Sequence, residues 1–156
     1  MPERPRSGDV VVRDATDQDV ARIVEIFGYG SLVAGKEDPD DLEPYREALT
    51  EVSAGPGAAL VAEADGEVIG VCQLIIFRHL QSGGGLCAEI ESVHVHPEQR
   101  NRGIGGILMR SAIERARELG CYRVQLTSNV ARPEAHRFYA RLGFEPSHVG
   151  FKLLLR

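Results

Sequence analysis

Apolar and polar positions along the chain change period several times, and each change marks an element. Val10, Val11 and Val12 open a short strand ahead of Arg13 and Asp14. Thr16, followed three residues later by Asp19, forms a helix-opening box before the amphipathic run that ends at Phe27. The glycine-rich stretch from Gly28 to Asp41 reads as a loop, and Leu42 to Val52 as a second helix with Pro44 in its first turn. Two strand-like runs flank Asp65-Gly66, a two-residue hairpin signal that predicts an antiparallel pair. Leu86 to His96 alternates in period two and stops at Pro97, which has no N–H for a ladder. From Gly103 the period lengthens: Ile104, Ile107, Leu108, Ala112, Ala116 and Leu119 recur at helical spacing, and Gly120 is placed to end the helix. Tyr122 to Asn129 reads as a strand, Pro133 to Phe144 as a short helix closed by Gly143, and His148 to Leu155 as a final strand.

The predicted order is β-α-α-β-β-β-α-β-α-β, an α/β (α+β) fold. Strand 86–96, helix 103–119 and strand 122–128 form a βαβ unit, so those two strands are expected to be parallel with a right-handed crossover. The hairpin-like remainder makes the sheet mixed and mostly antiparallel. At 156 residues the chain fits one domain over 9–156, behind a flexible tail over 1–8.

Composition narrows the function classes. The apolar share of 43% and charged share of 26% are those of a folded globular protein. A net charge of -5 argues against a general attraction to nucleic acid or to an anionic membrane, so any anion site must be local. No apolar stretch approaches a membrane span or a secretory h-region. Cys72, Cys87 and Cys121 sit singly inside apolar runs, which indicates neither a disulfide framework nor a zinc knuckle and fits a reducing cytoplasm. His94 and His96 share a strand face, but no third ligand stands at metal-binding spacing and no metal is expected.

Against that negative balance, His96 to Gly106 (HPEQRNRGIGG) places Arg100 and Arg102 ahead of Gly103, Gly105 and Gly106 where a strand gives way to a helix. A helix N-terminus presents free N–H groups and the positive end of the helix dipole, and glycines let a phosphate reach the backbone. Each hydrogen bond to a charged group contributes roughly 1.5–3 kcal/mol, so several would hold a diphosphate. No Gly-Lys-Ser/Thr follows, and the third glycine of G-x-G-x-x-G would fall on Leu108, so neither nucleotide-binding pattern fits.

Arg100-x-x-Gly103-x-Gly105 resembles the acyl-coenzyme A signature of the GNAT superfamily of N-acetyltransferases, and Ala135 to Phe144 (AHRFYARLGF) resembles its second signature, a tyrosine before Leu-Gly-Phe. The segments RPEAHRFY, SHVGFKLLL and AEIES look most like those of aminoalkylphosphonate and neighbouring small-amine N-acetyltransferases. The resemblance implies a sheet of about six or seven strands whose central parallel pair splays to admit pantetheine. It implies acetyl-CoA as donor substrate, a small-molecule amine as acceptor, and direct transfer in a ternary complex. Protein N-terminal or lysine acetylation is the alternative enzyme reading, and a non-catalytic acyl-CoA sensor the alternative outside enzymes.

Carried over residue by residue, Val93 and Val95 offer backbone groups to pantetheine, and Arg100, Asn101, Arg102, Gly103, Gly105, Gly106 and Asn129 contact the coenzyme. Tyr139 matches the tyrosine that donates to the departing thiolate. Glu89 and Glu91, on the same strand as the valines, are candidates for the base, and period two puts all four side chains on one face unless a bulge intervenes. Glu89 stands ahead because it lies eleven positions before Arg100, as the catalytic glutamate of histone-modifying members does. Arg132, His136 and Arg137 read as solvated surface, with contact to coenzyme phosphate or an anionic substrate as the alternative; His79 and the loop after Gly28 read as the acceptor entrance, and the C-terminal strand or sheet edge as a possible homodimer contact.

Overall fold

The computed structural model describes residues 9–155, and the expected tail over 1–8 lies outside them. Five strands form one sheet in the order β1 (Val11–Asp14), β2 (Ala58–Ala64), β3 (Glu67–Arg78), β4 (Leu86–Val95), β5 (Arg123–Gln125). Neighbours are antiparallel except β4 and β5, the parallel pair expected from the βαβ unit. The β2–β3 hairpin turns through Asp65 (φ 52) and Gly66 (φ 76), the two left-handed residues that a tight hairpin of this hand requires.

Helices α1 (Val20–Gly30) and α2 (Glu43–Ala54) cover one face of the sheet, α4 (Ile104–Glu118) and α5 (Pro133–Arg141) the other, and a single turn, α3 (Gln81–Gly84), joins β3 to β4. The apolar stripe of α4 buries Ile104, Leu108, Met109, Ala112 and Ala116 against Leu60, Cys72, Leu74 and Ile90. A smaller core on the other face joins Ile23 and Ile26 of α1 to Val61, Val68 and Val71, with Leu49 of α2 against it. A fully buried Leu or Ile contributes roughly 1.5–3 kcal/mol, so these two layers fix the sheet between the helices.

The sheet is narrower than the six or seven strands expected. Residues 148–155 are apolar enough to read as a strand, but a strand persists only with a backbone partner, and adjacent β5 keeps regular pairing for only three residues. Val149, Phe151, Leu153, Leu154 and Leu155 accordingly stand 78 to 93% exposed.

The box ahead of α1 is present and does more than cap. Asp19 accepts from the Thr16 N–H at 2.7 Å and holds the Arg13 guanidinium through both oxygens at 2.7 and 2.9 Å, while Arg13 also reaches Glu63 of β2. The start of α1 is thereby fastened to β1 and β2. The Arg13 bonds, then the Thr16 backbone bond, hold the Asp19 carboxyl below its ordinary range against the opposing effect of burial. Asp19→Ala is expected to cost about 2 kcal/mol in urea unfolding at pH 7. Because the folded-state value is depressed, the difference from wild type persists above the ordinary aspartate range near 4 and closes as pH falls through the lowered value.

Candidate active site

The site is set by where β4 leaves β5. On one side β4 stays paired to β3 as far as Val95, opposite Gly70; on the other it meets β5 only at Cys87, Ala88 and Glu89. The last third of β4 therefore faces an opening between the two parallel strands. Within that stretch Ser92 takes φ 54, and Val71 to Gln73 of β3 is matched by His94 to Glu91, one residue more. That is a β-bulge, and it turns the strand over.

The two faces of β4 change occupants at the bulge. Ala88 and Ile90 before it, and Val93 and Val95 after it, pack into the α4 core. Glu89, Glu91, His94 and His96 fall on the α1 face. The proviso attached to a shared face for both glutamates and both valines applies: the extra residue at position 92 is a bulge and breaks the period of two, so the valines lie on the opposite face. His94 meets Phe27 edge-on at 5.3 Å and His96 meets Tyr29 at 5.2 Å, so the histidine pair packs under α1. Among the described residues no group of three His, Cys, Asp or Glu could hold a metal ion.

At the far end of β4 the arginine and glycine loop leads into α4. Asn101 (φ 61) and Gly103 (φ 78) are both left-handed, the latter as the cap residue of α4. Ile107 donates to the Gly103 carbonyl at 3.1 Å, while no hydrogen bond among the described residues occupies the N–H groups of 101–106. Gly105 lets α4 approach α5, since a Cβ there would lie 3.3 Å from the Phe138 ring. Arg100 donates through Nε to the Val95 carbonyl at 3.2 Å, and Arg102 donates to Gln99 Oε1 at 2.9 Å. A third arginine joins them that motif reading missed. Arg110 folds back one turn, placing Nη1 3.1 Å from where a Cβ of Gly106 would stand, and it makes no ion pair among the described residues. Its signal was helical spacing, four residues beyond a glycine of the motif, with side chains leaning toward the N-terminus. Asn129 shapes the loop before α5, where its side-chain oxygen accepts from the Ala131 N–H at 2.9 Å.

Beside the opening, Glu89 Oε2 accepts from Gln125 Nε2 of β5 at 2.8 Å. Burial and then the neighbouring Glu89 push the Glu91 carboxyl above its ordinary range. Tyr139 comes from α5 on the other face, its ring against Phe138 at 5.1 Å and Phe144 at 6.2 Å. Its hydroxyl makes no hydrogen bond among the described residues, and burial, offset in part by Arg132, raises its pKa. Glu91 and Tyr139 come from opposite faces of the sheet, and the Glu91 charge is felt at the phenol. Cys72 is no rival nucleophile, since burial pushes its thiol up to about 12.

Two further expectations change. Arg132 is not free surface: half-buried, its guanidinium crosses to α1 and donates to the Gly30 carbonyl. His79 bonds the Tyr122 hydroxyl at 2.6 Å beside the first residues of β4 and β5, the end away from the opening, and so does not line an entrance there. The loop after Gly28 passes near His94 and is held to α2, where Tyr45 donates to Glu37 and accepts from the Asp38 N–H.

Comparison with known proteins agrees with this architecture. The model described as the acetyltransferase (GNAT) family matches residues 24–144, and the chain belongs to that family. It is similar to the aminoalkylphosphonate N-acetyltransferase of Salmonella typhimurium, 30% identical over 141 residues that cover 90% of this chain and 88% of the relative. The L-methionine sulfoximine/L-methionine sulfone acetyltransferase of Pseudomonas aeruginosa is 30% identical over 87% of this chain and 80% of its own. Among solved structures, a protein of Bacillus halodurans described as a transcriptional regulator superposes with a TM-score of 0.88 at 35% identity, covering 94% of this chain and 99% of that one. The protein is an acyl-CoA-dependent N-acetyltransferase. Arg110→Ala is expected to weaken coenzyme A binding up to about tenfold by calorimetry, an effect that shrinks as salt is raised.

Proposed function

We propose that this protein, acting as one transferase unit over residues 9–156, moves the acetyl group of acetyl-CoA to the primary amine of a small acid-bearing molecule, by direct attack in a ternary complex. The observation that supports the reading is that the charge of Glu91, one of two carboxylates on one face of β4, is felt at the Tyr139 hydroxyl on the other, where β4 and β5 no longer pair. The donor contributes the thioester; the chain's own groups bind it and move protons. Val93 and Val95 lie on the open side of β4, where the backbone is no longer claimed by β5, and an extended ligand would pair there, displacing Arg100 from the Val95 carbonyl. The N–H groups of 101–106 with Arg100, Arg102 and Arg110 form the diphosphate seat.

An alkyl ammonium must lose a proton to attack, and Glu91 is suited to take it: a carboxyl raised toward neutrality exchanges protons more readily than one at 4. Glu89, anchored by Gln125, sustains that shift through its own charge. As the new C–N bond forms and the C–S bond breaks, Tyr139 gives its proton to the leaving sulfur, whose basicity lies close to a phenol's. Several small-amine relatives act on acid-bearing compounds by name, aminoalkylphosphonates among them, which supports the acceptor class. The Arg132 bridge and the Tyr45 tie narrow the cleft, favouring a small molecule over a protein segment, and an acid–base set has no use in a sensor.

Thiol release from acetyl-CoA over an amine panel tests this. Tyr139→Phe is expected to lower kcat roughly 10- to 100-fold with coenzyme affinity retained. Glu91→Gln should remove the acidic limb of the kcat/KM profile. Glu89→Gln removes a like charge, so the Glu91 value falls and that limb moves to lower pH; a shift upward, or none, contradicts the assignment. Tight coenzyme binding without acceptor-dependent thiol release from any amine would sink the enzymatic reading.

A further inference from the structure

The acceptor cleft carries two electrostatic poles. One is the Glu89–Glu91 pair beside β5. The other lies three residues further along β4, within about 10 Å at strand rise, where His94 sits between the end of α1 and the loop before α5. Gly30 closes over the imidazole so tightly that any Cβ there would run into the ring, and the Gly30 carbonyl accepts from Arg132. Phe27 packs the ring edge-on from α1.

This pole is built but not internally satisfied. His94 makes no hydrogen bond among the described residues, although its ring is half-buried, and Arg132 spends only one of its five N–H donors on Gly30. The charged groups felt at the ring are Arg132, Arg100 and Lys36 against the single carboxylate Glu37, so the local field is positive in a chain whose net charge is -5. Burial in that field pushes His94 down to about 4, leaving a neutral imidazole at physiological pH with one N–H to donate.

Resting on the acetyl-transfer reading above, we infer that Arg132 and His94 form the acceptor's acid-binding subsite, selecting amines that carry a phosphonate, phosphate or carboxylate within a few bonds of the nitrogen. The amine then lies toward Glu91 and the acid toward Arg132, so one molecule spans both poles and is oriented by their opposite charge. A planar guanidinium takes two oxygens of an oxyanion side by side, which a lysine does not reproduce. Neutral amines lose this anchor and present no group to the positive end of the cleft.

The test is equilibrium binding to the protein saturated with unacetylated coenzyme A, comparing 2-aminoethylphosphonate and L-methionine sulfone with n-propylamine. At least one acidic ligand is expected to bind tenfold or more tightly than propylamine. Arg132→Gln should abolish that preference, and Arg132→Lys should restore it in part. Coenzyme A affinity serves as the check that each variant folds, and His94→Asn supplies a second probe that leaves the Gly30 bridge in place and should weaken acidic ligands alone. Wild-type protein that prefers neither acidic ligand, or Arg132→Gln and His94→Asn that both keep the preference, overturns the inference. Selective acid binding without thiol release would instead contradict the catalytic reading and leave the subsite standing.

Discussion

Everything in the candidate site depends on β4 and β5 parting after Glu89. A continuous parallel ladder would consume the backbone groups of both strands and seal one face of the sheet from the other. The bulge at Ser92 accompanies the parting and reverses which side chains look where. Val93 and Val95 are held in the α4 core, while Glu91 and His94 look toward α1. The carboxylates and the tyrosine belong to different layers, and the Glu91 charge is still felt at Tyr139. The left-handed backbone at a serine costs on the order of 1–2 kcal/mol, and the packing on both sides sustains it.

The helices on either face have correspondingly different duties. Helix α4 anchors its apolar stripe so that its first turn points a row of free N–H groups at the strand end, with three arginines gathered near it. Helix α1, fastened at its start by Asp19 and Arg13, ends where Gly30 meets His94 and Arg132. One helix thus presents its beginning to the end of β4 and the other its end to His94 on the opposite face. The sheet between them fixes their separation.

Much of this was legible in the residue pattern, and what was not has physical reasons. Asp65-Gly66 specified its hairpin because few residue pairs accept two left-handed conformations in succession. The α4 stripe and the glycine loop were equally plain, since both are local. Ser92 gave no such warning, because serine carries no marked preference for positive φ and the bulge is a matter of how β4 is registered against β3. The contact from Arg132 to Gly30 spans 102 positions and leaves no periodic trace. Residues 148–155 misled in the other direction: their composition suits a strand, but composition does not supply a partner.

Arg100 ties the donor loop to the opening in another way. With its Nε on the Val95 carbonyl, it occupies one of the backbone acceptors that the parted strands leave over. The Val95 carbonyl on the open side of β4 is thereby satisfied within the chain, by a cation of the loop that leads into α4. Any group that pairs with that carbonyl has to take the place of Arg100 Nε, so pairing there is an exchange of partners rather than the filling of an unsatisfied gap.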